Sequence, residues 1–236
     1  MKPPVVVIDA ANPIGRAVVE RALADARPVI AVTTEPRTLA RLRATVPGIE
    51  HRGGELIVVD GAITDEAAAA TLADTLRGFD RPLAGVVLAT CADPRRGRVL
   101  DQPVRDLHRH LEADLRPQLA AARQLLPVLA GHGRGGGYVV VGTAGTDHPW
   151  AGYGVRSIAA AAVAMLVRVL HDEARLLGVR VQMLAVSRPV CTDDNRDEAC
   201  AGWPAAERLA ERALALVDQT DARHPVSAVV RVAEAL

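Results

Sequence analysis

The sequence predicts a doubly wound α/β domain, with a parallel sheet of seven strands and helices on both faces. Three observations predict it. Apolar runs of strand length alternate with helix-spaced segments along the whole chain. The strand runs are nearly continuous in Val, Ile, Leu and Ala, the pattern of strands covered on both faces. No linker or shift of composition divides the 236 residues, so one domain spanning 1–236 carries every element.

The first strand is the run PVVVID at 4–9. It ends in the small-residue turn Ala10-Ala11-Asn12, and a helical segment follows over 14–26. Pro13 suits the first position of that helix, where a missing N–H and a fixed φ do no harm. PVIAVT at 28–33 is the second strand, followed by helical spacing over 36–45. ELIVVD at 55–60 is the third, followed by a helix over 65–77. LAGVVLAT at 83–90 is the fourth, before a long helix over 103–130. The glycine-rich stretch 130–137 is a connection to the fifth strand, YVVVGT at 138–143. A second long helix spans 153–177 and leads to VRVQMLAV at 179–186. The polar stretch 191–203 reads as an exposed loop. A helix over 205–217 and a last strand at 226–233 complete the alternation.

Composition narrows the function classes. Lys plus Arg and Asp plus Glu number 28 each, so no net charge favours nucleic acid or an anionic membrane as partner. Aromatic residues make up 2% of the chain, which leaves Ala, Val and Leu to fill the core. The three cysteines, Cys91, Cys191 and Cys200, fit neither a C-x-x-C pair nor a zinc site, and they suit a reducing, cytoplasmic setting. No unbroken apolar run approaches the roughly 20 residues of a membrane helix. The seven histidines form no metal set; His108 and His110, two apart on a helix, diverge. His171 and Asp172 read as a solvated face. Asp147-His148 falls near the mouth of the cleft, where a catalytic His stays open.

Five segments in order and spacing resemble the short-chain dehydrogenase/reductase family: IDAANPIGRAVVERAL, LATCAD, LHRHLEADLRPQLAAARQLLPVL, YVVVGTAG and the long stretch from YGVRSIAAAA to QMLAV. The resemblance covers nearly the whole chain and implies a Rossmann-like fold. In that family the first segment carries glycines that admit the pyrophosphate of a dinucleotide to a helix N-terminus. Here those positions are Asp9, Pro13 and Gly15, and Gly15 alone is a glycine. A carboxylate at Asp9, about 5 Å from a phosphate at an effective dielectric near 20, implies repulsion of about 3 kcal/mol per charge pair. Pro13 removes a donor. The resemblance also places Asp60 at an adenine-contacting position, and Thr33 and Thr34 where an acidic residue selects the ribose. Glu35 and Arg37 lie past that point. At the fourth strand the amide side chains are replaced by Thr90-Cys91-Ala92.

The resemblance further implies a proton relay of Tyr, Lys, Ser and Asn. Tyr153 stands at the Tyr position, Ser157 at the Lys position, Asp114 at the Asn position, and Thr143 is the stand-in for Ser. Without a neighbouring cation a phenol stays near a pKa of about 10 and is a poor base at neutral pH. Arg156 shares a helical face with Tyr153 and partly replaces the Lys, or else it is a surface or interface residue. Tyr153 can also be read as a helix-start aromatic packed beside Trp150, and Arg188 as a solvated residue near the cleft.

Taken together, these changes lead to the expectation of a catalytically degenerate member that binds no cofactor. It would act as a structural or regulatory partner of an active, homologous subunit, paired through the helices 103–130 and 153–177. The alternative is an enzyme. It would be an NADPH-dependent ketoreductase working through Tyr153, Thr143 and Arg156, or a non-redox dehydratase or cyclase in the same cleft. A third reading is a small-molecule sensor.

Overall fold

Seven parallel strands alternate with helices in a computed structural model that describes residues 2–35, 55–89, 96–131, 135–219 and 227–232. The strands are β1 (Val5–Ile8), β2 (Val29–Thr33), β3 (Leu56–Asp60), β4 (Gly85–Leu88), β5 (Gly137–Val141), β6 (Arg180–Ala185) and β7 (Val229–Arg231). They form one sheet in the order β3-β2-β1-β4-β5-β6-β7. Val5 pairs with Val29 on one side and Gly85 on the other, and Ile8 with Val32 and Leu88. The ends of β1, β2 and β4 therefore lie level. The chain reverses its direction of winding between β1 and β4, and a crevice opens there outside the carboxyl ends of the strands.

The helices are α1 (Pro13–Ala24), α2 (Glu66–Arg77), α3 (Val104–Ala130), α4 (Gly154–Glu173) and α5 (Ala206–Asp218). Val5, Val7, Val29, Ala31, Val87 and Val139 meet α1 and α5 in one apolar layer. Val6, Ile8, Ile30, Val32, Val86 and Leu88 meet α2, α3 and α4 in the other. Alternate residues of each strand thus face opposite layers, and both layers are dry, which is why the strands carry no polar alternation. Each fully buried Leu or Val adds roughly 1.5–3 kcal/mol relative to its exposed state. Small residues set the spacing of the helices. Ala120 and Ala121 on α3, and Ala160 and Ala164 on α4, are buried where the two helices pack. Gly85 and Gly137 pair across β4 and β5. A Cβ on Gly137 would stand 2.7 Å from the Cα of Val217, so glycine lets the end of α5 lie on the sheet.

Several expectations meet a different structure. The last strand is shorter than 226–233, and the helical spacing at 36–45 lies outside the described residues. The polar stretch 191–203 is exposed for the most part but holds a 3-10 turn, Asp193–Glu198. It is closed by a reciprocal box in which the side chain of Asn195 accepts from the N–H of Thr192 at 2.8 Å. His171 is not on a solvated face: its Nδ1 donates to the carbonyl of Val181 at 2.7 Å, tying α4 to β6. By length and composition alone, Gly154–Leu177 could cross a membrane. Its buried side, Val155, Ala159, Val163 and Val167, packs in the core instead.

Candidate functional site

A cavity of about 300 Å³ lies along the carboxyl edge of the sheet. One half is walled by Asp9 after β1, Thr33 and Thr34 at the end of β2, and Gly61 to Thr64 after β3. The other half is walled by Asp114, Pro117 and Gln118 of α3, Gly142, Thr143 and Thr146 after β5, and Ala160 and Val163 of α4. The topology explains the set. Each strand ends at the same edge, so the first residues after several strands converge.

The β1–α1 turn keeps the backbone of a glycine turn with other side chains in it. Asp9 has φ +61°, the left-handed region that glycine adopts freely and that Asp and Asn tolerate best among the rest. Its carbonyl accepts from the N–H of Asn12 at 3.1 Å, which closes the turn. Gly15 is buried, and a Cβ there would stand 2.3 Å from the Asp9 carbonyl oxygen. This close approach of helix to turn is possible only for glycine. Pro13 occupies the first turn of α1, and the Ile14 N–H donates to Asn12 Oδ1 at 3.0 Å. Two of the helix N-terminal donors are therefore absent or already paired, which leaves fewer for an anion.

Asp9 is one of the residues that line the cavity. Burial, then the nearby carboxylate of Glu35, raise its pKa above the usual carboxylate value. The charge repulsion calculated for an ionised Asp9 is thus weakened wherever the carboxyl is neutral. Thr33 is buried, and its Oγ1 accepts from the Glu35 N–H at 3.1 Å. Asp60 is the exposed last residue of β3, and the wall of the cavity begins one residue later, at Gly61. Arg37 and the stretch Thr90-Cys91-Ala92 lie outside the described residues.

At the other end Asp114 and Thr143 face the same cavity, as the long helix and the fifth strand place them. Thr146 Oγ1 donates to the Thr143 carbonyl at 2.6 Å and shapes the loop after β5. Pro117, inside α3, has no N–H to give the carbonyl of Ala113 four residues back, and both residues border the cavity. Gln118 and Thr146 went unrecognised in the sequence. Gln118 was within reach, because it stands four residues after Asp114 and so shares its helical face. Thr146 had no such signal, since its place depends on a loop.

Tyr153, Arg156 and Ser157 are not among the residues that wall the cavity; they build the start of α4 beside it. The Tyr153 ring stacks on Trp150 with centroids 3.8 Å apart and 16° between planes. The Arg96 guanidinium lies 5.8 Å from the Tyr153 ring centroid, a cation–π distance. Ser157, at the Lys position, donates to the Tyr153 carbonyl at 3.0 Å and accepts from the Trp150 N–H at 2.9 Å. Its hydroxyl latches the helix start to the loop before it. Arg156 is 4% exposed, so it is a buried residue and not a surface one. Asp147 pairs with Arg231 at 2.8 Å, while His148 and Arg188 are exposed. Among the described residues no group of His, Cys, Asp and Glu could hold a metal.

Fold and cleft together define a doubly wound α/β protein with its site at the switch point of the sheet. The family model for short chain dehydrogenase matches residues 4–198, and the chain belongs to that family. Solved structures agree in fold. A short-chain type dehydrogenase/reductase from Mycobacterium ulcerans superposes with a TM-score of 0.82 at 20% identity, covering 98% of this chain and 88% of that one. L-sorbose reductase from Gluconobacter frateurii, solved with NADPH and L-sorbose, gives 0.80 at 15% identity, covering 98% and 95%. Acetoin dehydrogenase from Enterobacter cloacae gives 0.79 at 16% identity, covering 98% and 94%. Comparison of the sequence with curated proteins finds no match.

These findings correct the expectation of a protein without cofactor. The chain is a short chain dehydrogenase by family, and a protein of the same fold is solved with NADPH. The physical reason is visible in the turn. The substitutions at Asp9 and Pro13 altered charge and donors, but they left the backbone path and the Gly15 contact intact. The residues present fit a dinucleotide in shape: a glycine-type turn, a helix N-terminus and an open cavity over three strand ends.

Proposed function

We propose that this protein is an NADPH-dependent reductase of a small carbonyl compound. The observation that supports it best is the continuity of the cavity. The strand ends that would hold a dinucleotide and the residues Asp114 and Thr143 share one enclosure. The L-sorbose reductase complex with NADPH supports the choice of coenzyme.

Residues Asp9 to Ile14, Thr33, Thr34 and Gly61 to Ile63 would hold the coenzyme. When bound, it supplies a hydride equivalent to the substrate carbon. The chain supplies the rest. The Thr143 hydroxyl donates a hydrogen bond to the substrate carbonyl oxygen and orients it. The Tyr153 hydroxyl gives its proton to that oxygen as the carbon–oxygen π bond becomes an alcohol, and water returns the proton to the tyrosinate. The walls suit an uncharged substrate, because among the described residues they carry Asp9 and Asp114 but no cation.

The test has two stages. Titration calorimetry with NADPH and NADH reads coenzyme binding. Turnover is then measured on a panel of ketones and hydroxyketones. Tyr153→Phe is expected to lower kcat/KM about 100-fold or more with coenzyme Kd unchanged. Absence of coenzyme binding, or full turnover by Tyr153→Phe, would overturn the proposal.

A second reading has its own support. Ser157 leaves Tyr153 without the ammonium that normally tunes it, and its hydroxyl is engaged in the helix start. Such a chain would be a weak catalyst that partners an active, homologous subunit. Leu119 on α3 and Ile158, Met165 and Val169 on α4 are exposed apolar residues that would form the contact. Native mass spectrometry after co-expression with a neighbouring reductase tests this. Homomers alone would count against it.

A further inference from the structure

We propose that Asp9 is a coenzyme-binding residue that meets the coenzyme in its protonated form, so that binding takes up a proton. The inference rests on the reading of the cavity as the coenzyme cleft. Three observations carry it. Asp9 holds φ +61° in the turn after β1 and is one of the residues that wall the cavity. The turn cannot relax away, because Gly15 is in close contact with the Asp9 carbonyl. The charged groups facing Asp9 offer it no cation among the described residues. From the segment after β2 comes Glu35. Across the cavity stands Asp114 of α3. On α1, Arg16 is directed to Glu20 and Asp193, at 4.0 and 3.5 Å.

An ionised carboxylate in this place repels a diphosphate, and it can only accept hydrogen bonds. A neutral carboxyl removes the repulsion and gains an O–H donor. That donor stands in for the helix N–H groups lost to Pro13 and to the Asn12–Ile14 bond. The burial that raises the Asp9 pKa favours the neutral form already in the free protein. An anionic ligand raises it further. By linkage, affinity is greatest below the pKa of Asp9 in the free protein and falls as pH rises above it.

The experiment is calorimetric titration with NADPH at pH 6, 7 and 8, each in two buffers of different ionisation enthalpy. The wild type, Asp9→Asn and Asp9→Gly are compared. The 2′-phosphate of NADPH titrates in this range, but it does so equally for all three proteins and cancels in the differences. Relative to Asp9→Asn, the wild type is expected to take up close to one additional proton and to weaken toward tenfold per pH unit. Asp9→Asn keeps the shape of the carboxyl, tolerates the left-handed backbone and stays neutral. It should bind NADPH at pH 8 at least tenfold more tightly than the wild type does. Asp9→Gly should lose the same pH dependence, which guards against a folding defect peculiar to Asn. Identical pH dependence and proton uptake in all three proteins would overturn the inference while leaving the cleft assignment standing. Failure of all three to bind NADPH at any pH would overturn both.

Discussion

The two ends of the cleft have diverged in opposite ways. In the β1–α1 turn the side chains changed and the backbone stayed: Asp9 holds a glycine conformation, and Gly15 keeps its contact with the turn. At the start of α4 the residue that the family resemblance places as the catalytic Tyr, Tyr153, is kept, and its surroundings differ from the family's pattern. Ser157, where the family resemblance expects a cation, spends its hydroxyl on the loop, while Trp150 stacks on the ring and Arg96 lies 5.8 Å from its centroid. The difference teaches that a site made by backbone geometry tolerates new side chains, because the fold enforces its shape. A proton relay consists of side chains, and each substitution removes one of its working parts.

The comparison can be broken most severely at Gly15. Gly15→Val would force a Cβ to within 2.3 Å of the Asp9 carbonyl oxygen unless the helix moves. A loss of about 3 kcal/mol or more is expected, a fall in Tm of roughly 6–12 °C for a domain of this size, read by thermal unfolding. A Tm within 1 °C of the wild type would show that the turn is not held as described. Next in size is the loss of turnover in Tyr153→Phe, about 100-fold, with binding unaltered. If coenzyme affinity fell as much as turnover, the two ends would not be separable. Ser157→Ala comes third. It removes one donor and one acceptor at a buried helix start, and denaturant unfolding should show a loss of about 1–2 kcal/mol with unchanged NADPH affinity. The smallest effect is expected outside either end. The Tyr138 hydroxyl is fully buried, has no hydrogen-bond partner among the described residues and is pushed strongly upward in pKa by desolvation. Tyr138→Phe should therefore be neutral or stabilising by up to about 1 kcal/mol in the same assay, with unchanged coenzyme binding.

The fold was legible because its signals are local. Continuous apolar strands such as VVVI and VIAVT alternate with amphipathic helices, and they need no distant information to be recognised. The Rossmann-like fold class followed from the family resemblance, and the match over residues 4–198 supports it; the strand order came from the structure. The site was legible in part. Asp114 and Thr143 were placed by the family resemblance, and the structure brings both to the cavity. Coenzyme binding was misjudged because the sequence shows a carboxylate but not the backbone that carries it. The reading of Arg156 as a surface residue failed because its burial depends on packing from other elements.

By itself the sequence determined the alternation of strand and helix, the seven-stranded parallel sheet and the identity of the groups near the cleft. The first two follow from periodicity and composition, which act over a few residues at a time, and the third from the family resemblance. Only the tertiary structure decided that Asp9 lines the cavity in a glycine conformation, that Ser157 bonds to its own helix start, and that His171 reaches β6. The physical reason is that a polar side chain takes the partner that packing brings within about 3 Å, and that partner is often remote in the chain.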